Sequence, residues 1–197
     1  MNGVEELLLA AAQLETSLRR HGWRFCFIGG VAIQRWGDPR FTNDIDLTLL
    51  TGFGEEEKFI DTLLKELNPR RPDARDFALN RRVLLAQTRA GVDVDIALGA
   101  LPFEERCVAR SSAWHFREDV TLTTCSAEDL VVHKAFACRD LDWGDVERVL
   151  IRQHGKLKLT QIRLELKPLL ELKGAPESLD KLDRMLAIVE RRLRTKL

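Results

Sequence analysis

Apolar residues in the first twenty positions recur at three- and four-residue spacing ("VEELLLAAAQLETSLRR"), the signature of an amphipathic helix over about residues 3–21. The apolar run "WRFCFI" follows as a strand, ended by Gly29 and Gly30, and "VAIQRW" has the length of a short helix stopped by Gly37 and Pro39. "DIDLTLL" then predicts a strand, "GEEEKFIDTLLKEL" a helix, and "RRVLLAQT" with "VDVDIALG" two strands around a turn at Ala90 and Gly91. Helices and strands alternate to about residue 124, which predicts an α/β sheet domain over 1–125. Beyond it the period becomes helical throughout. Ser126, with Asp129 three positions on, marks a helix start. Gly155, Gly174 and Pro176 divide residues 126–197 into further helices, a C-terminal helical bundle.

Composition narrows the class. With 197 residues the chain has length for one sizeable core and a helical extension. No apolar run approaches the roughly 20 residues of a bilayer span, and acids precede the first apolar stretch, so a cytoplasmic protein with no membrane association is expected. The four cysteines lack metal-site spacing and are expected as reduced, buried thiols. Formal net charge is zero, so any polyanion site must be local. Residues 70–82, "RRPDARDFALNRR", form one basic stretch that could supply an RNA footprint. The C-terminal stretch "DKLDRMLAIVERRLRTKL" has six Lys/Arg against three Asp/Glu and reads as a solvated helix face.

The acids carry the chemistry. Strand geometry sets Asp44 and Asp46 about 6.6 Å apart on one face, with Ile45 turned the other way into the sheet. Like charges so placed repel, and a hard divalent cation bound by their oxygens removes the repulsion. "VDVDIALG" offers a second pair, Asp93 and Asp95, either of which could complete a three-carboxylate cluster. Gly29 and Gly30, where a strand turns into a helix, let backbone amides approach a phosphate. Thirteen residues separate Gly30 from Asp44.

The segment "IGGVAIQRWGDPRFTNDIDL" resembles the hallmark of the nucleotidyltransferase superfamily of the DNA polymerase β type. With "SAEDLVVHKAFACRDLDWGDVERVL" it is similar, more narrowly, to AbiEii-type and related toxin-like bacterial nucleotidyltransferases. The resemblance implies an α+β fold: a mixed β-sheet with flanking helices, followed by the helical region. It implies that Gly29 and Gly30 contact the phosphates of an NTP, that Asp44 and Asp46 ligate Mg²⁺ or Mn²⁺, and that Asp95 is the third carboxylate, with Asp93 still open. Arg40 and Thr42 match the family's Arg-x-Thr and are expected to bind the nucleotide. Lys134 matches a helical lysine that would neutralise phosphate charge and bind the nucleotide, the alternative being a snorkelling helix lysine. Arg139, Asp142 and Asp145 match the polar positions after it and equally suit surface ion pairs and a helix cap. The chain departs from the pattern at Leu141, where a basic residue is usual.

The implied reaction moves NMP from an NTP to a hydroxyl with release of pyrophosphate. The acceptor is RNA such as tRNA, a protein, or a small molecule such as an aminoglycoside or lincosamide. An antitoxin-like partner protein fits the toxin-like group. A non-catalytic nucleotide-binding module is the reading from another class. Trp36 and Trp143 lie near motif residues and are core or stacking candidates.

Overall fold

The computed structural model describes residues 3–194; residues 195–197 of the basic C-terminal stretch lie outside them. The chain runs α1 (Gly3–Arg20), β1 (Phe25–Phe27), α2 (Gly29–Trp36), β2 (Asp44–Leu50), α3 (Glu56–Glu66), β3 (Asn68–Pro69), α4 (Ala74–Arg81), β4 (Val83–Gln87), β5 (Asp93–Gly99), α5 (Pro102–Arg110), β6 (Ser112–Arg117), β7 (Val120–Thr124), α6 (Ala127–Ala137), α7 (Asp140–Arg152), α8 (Leu159–Lys173) and α9 (Glu177–Arg194). The fold is a mixed sheet with flanking helices followed by a helical region. No described helix is long and apolar enough to cross a membrane.

The chain divides into two compact units. One comprises the residues up to Val31 with Phe41–Cys125, and the other Ala32–Arg40 with the residues from Ser126 onward.

In the first unit the sheet order is β3-β4-β5-β2-β1-β7-β6. β2 and β5 run parallel at its centre, and β4 and β1 flank them antiparallel. Alternation sets what each face carries. Ile45, Leu47, Leu49, Val94, Ile96, Leu98, Leu84 and Ala86 are buried together against Leu7, Ala11, Leu14 and Leu18 of α1 and Phe59, Ile60 and Leu63 of α3. The β4–β5 turn closes where Gly91 adopts φ +83°, with the Gly91 amide donating to the Thr88 carbonyl at 3.0 Å. Glu15 of α1 accepts from the Thr123 amide at 2.8 Å, tying the helix to β7.

Four details differ from the expectations. The glycines do not precede the short helix; they open it, α2 starting at Gly29. Residues 70–82 hold α4 and its flanks, and arginines of this stretch pair within the unit: Arg71 with Asp73, Arg75 with Asp61 and Glu57, and Arg82 with Glu56. The hairpin of β6 and β7 includes an edge strand with almost no buried position, so it lacked the alternation that marks β2 and β5. The cysteines form no disulfide among the described residues, but only Cys26, Cys107 and Cys125 are buried. Cys138 is half-buried in the left-handed C-cap of α6.

In the second unit α6 packs on α7, α8 and α9. Ser126 caps α6, its Oγ accepting from the Asp129 amide at 3.1 Å. The segment 32–40 is fastened to α7: Arg152 donates to the Gly37 carbonyl and Gln153 to that of Trp36 at 3.0 Å.

Candidate active site

On the sheet face opposite α1, the parallel register sets Asp44 beside Asp93 and Asp46 beside Asp95. In-register neighbours on adjacent strands lie about 4.8 Å apart, so four carboxylates share one patch. All four are partly exposed, whereas the intervening Ile45 and Val94 are fully buried on the other face.

Gly29 and Gly30 are dictated by this patch. Gly29 has φ +53°, and a Cβ there would collide with Oδ2 of Asp46. A Cβ on Gly30 would collide with Oγ1 of Thr42. The first turn of α2 therefore lies directly against the second acid of the Asp-x-Asp pair and against Thr42. Thr42 is buried, and its hydroxyl donates to Oδ1 of Asp44 at 2.9 Å, fixing that carboxylate's orientation.

The second acid pair has partners that the sequence reading missed. Gln87 donates to Asp93 at 2.6 Å, Arg70 donates to the same carboxylate at 2.8 Å, and the other terminal nitrogen of Arg70 pairs with Asp95. The two acids are thereby distinguished. Hydrogen bonds from Gln87 and Arg70 hold Asp93 below the usual carboxylate range. Burial, with the charges of Asp44 and Asp93, pushes Asp95 up despite the pull of Arg70. The residual repulsion between Asp44 and Asp95 is what a cation would relieve, and oxygen donors on one face fit a hard divalent ion. Among the described residues no group of three or more acids, histidines or cysteines converges as a ligand set. Asp95 is instead turned to Arg70.

Within the helical unit the structure brings together the later motif residues. Lys134, buried on α6, donates to Asp142 and lies 3.0 Å from each of Asp142 and Asp145. Arg40 meets Asp145 through two hydrogen bonds of 2.8 Å. Arg139 pairs with Asp142 at 2.6 Å, its amide also donating to that carboxylate at 3.3 Å, and Arg148 reaches Asp145 at 3.3 Å. Burial pushes both aspartates up, yet their hydrogen bonds from Arg139, Arg40 and Lys134 outweigh it and hold them below the usual range. Asp142 thus pairs with Lys134 and Arg139, and Asp145 with Arg40, Lys134 and Arg148. Trp143 is core, its indole N–H donating to Cys138 Sγ at 3.4 Å, and the Arg35 guanidinium covers the Trp36 ring at 4.0 Å.

Gly-Gly at a helix start, with paired acids on neighbouring strands of a mixed sheet, is the arrangement expected of a nucleotidyltransferase. The chain belongs to the AbiEii family, described as "Nucleotidyl transferase AbiEii toxin, Type IV TA system", whose model matches residues 13–156. No individual curated protein sequence matches it significantly. Among solved structures it is similar to an antigenic nucleotidyltransferase-like protein from Paracoccidioides brasiliensis, with 16% identity over 93% of each chain and a TM-score of 0.56. It is also similar to the antibiotic-resistance factor ANT(2'')-Ia, with 14% identity over 90% of this chain and 97% of that one and a TM-score of 0.54. At those identities the likeness is one of fold.

Proposed function

We propose that this enzyme transfers NMP from an NTP to a hydroxyl of RNA or protein, as a toxin-like nucleotidyltransferase. The observation that carries the reading is the in-register pairing of Asp44 with Asp93 and Asp46 with Asp95 beside a glycine-built helix start. Asp44 and Asp46 would hold Mg²⁺ or Mn²⁺, with Asp95 as third carboxylate. When bound, the cation supplies charge neutralisation at the phosphates. The amides of the first turn of α2, freed of side chains at Gly29 and Gly30, suit the polyphosphate.

The acceptor oxygen bonds to the α-phosphorus as the bond to the β-phosphate's bridging oxygen breaks. Pyrophosphate leaves, and the hydroxyl proton passes to a carboxylate oxygen of Asp95. Its raised proton affinity suits that role better than Asp93, which Gln87 and Arg70 keep ionised. In the helical unit Arg40 and Lys134, both paired with Asp145, are the cations that the family resemblance assigns to the nucleotide. Membership of a toxin–antitoxin family supports an antitoxin partner.

The test is incubation with each labelled NTP together with cell RNA, protein and a panel of aminoglycosides and lincosamides, with Asp44→Ala as control. Label in RNA or protein that disappears with Asp44→Ala supports the reading. Label confined to an antibiotic replaces the acceptor class, and no label with any NTP overturns the reaction.

A further inference from the structure

Arg70 stands just past the two-residue edge strand β3, its amide donating to the Leu85 carbonyl at 3.2 Å. β4 pairs Leu85 with Asp95, and β5 pairs Asp95 with Asp46. Arg70, just beyond β3, thus lines up with Leu85, Asp95 and Asp46 in one row that crosses β4, β5 and β2, and the arginine reaches over Leu85 to the acids. Its two terminal nitrogens take Asp93 and Asp95, one each. Its Nε N–H is buried with no acceptor among the described residues. The side chain is therefore held by these two carboxylates, in a pose that leaves one donor unmet. Asp93 has a second partner in Gln87 and stays hydrogen-bonded whether or not Arg70 is there.

We infer that Arg70 is an internal counter-ion for the acid patch, occupying Asp95 in the cation-free enzyme and giving that carboxylate up when a divalent cation binds. The inference rests on the cation-binding reading of Asp44, Asp46 and Asp95 given above. A guanidinium matches one positive charge to two acids and lessens the repulsion that would otherwise bear on the folded, cation-free sheet. The same contact competes with the incoming ion. Arg70 is accordingly a positioning residue: it sets when Asp95 is free, and it takes no part in bond making.

The test is Mn²⁺ binding to the nucleotide-free protein, followed by calorimetry and by the loss of the free-ion paramagnetic resonance signal, with thermal unfolding alongside. Arg70→Gln should bind Mn²⁺ on the order of tenfold more tightly than wild type, since one competing charge is gone. It should unfold at lower temperature without the ion and recover with it. Arg70→Lys, which reaches one carboxylate at a time, should fall between, and it carries the test if Arg70→Gln does not fold. Asp44→Asn should abolish binding in either background. Equal or weaker Mn²⁺ binding by the Arg70 variants overturns the inference and leaves the cation site standing. Absence of Mn²⁺ binding from wild type and variants alike overturns both.

Discussion

Arg40 and Asp145, 105 positions apart in the chain, are joined by two parallel hydrogen bonds of 2.8 Å, and the Asp145 side chain is wholly buried. The same carboxylate also serves Lys134 and Arg148, so its removal takes a partner from three cations, of which Lys134 keeps Asp142. Asp145→Ala should lower stability by about 3 kcal/mol, the range for breaking a buried pair from one side. Chemical denaturation would measure it, and a loss below about 1 kcal/mol would mean that the network contributes little to folding.

The acid limb of the stability profile should carry the mark of the same pair. Asp142 and Asp145 both bind protons less readily folded than unfolded. Their contribution is therefore complete above the ordinary carboxylate range and is lost as pH falls through the lowered folded values. Wild-type unfolding free energy should drop steeply in that acid window, and Asp145→Asn should flatten the drop. Parallel acid profiles for the two proteins would contradict the assignment.

Gly30→Ala places a methyl against Thr42, and through Thr42 it disturbs the carboxylate of Asp44. Nucleotide transfer should fall on the order of 100-fold, because small displacements of reacting groups are costly. Stability should fall by about 1–3 kcal/mol, as in overpacked interiors. Gly29→Ala adds a left-handed backbone to the collision and should be worse on both measures.

The basic appearance of residues 70–82 should not translate into nucleic-acid affinity. Arg71 and Arg75 already face Asp73, Asp61 and Glu57. Converting both arginines to glutamine should change tRNA binding at moderate salt by less than about twofold, with no change in its salt slope. A gel-shift titration at two salt concentrations decides it.

How much of this was legible in the sequence depends on distance along the chain. The Gly-Gly turn and the Asp-x-Asp strand lie within twenty residues of each other, and strand parity alone assigned Asp44 and Asp46 to one face and Ile45 to the other. The Ser126 cap was equally local. Arg70 was not legible as a partner of Asp95, because their meeting depends on the order and register of β3, β4 and β5, which no local pattern encodes. Gln87 was hidden for the same reason. α4 was obscured by its own charges: its arginines read as a surface patch until α3 supplied the acids opposite. β6 lacked a buried face and so offered no period to detect.

The division of the chain has a practical consequence for anyone wishing to dissect the molecule. The helical unit owns residues 32–40, which sit in sequence between the two halves of the sheet unit's glycine and aspartate motif. A fragment started at Ser126 would leave behind Arg40 and the carbonyls of Trp36 and Gly37 that α7 grips. One scission at that junction therefore yields two incomplete pieces, and only a circularly rearranged or co-expressed design would keep each half whole.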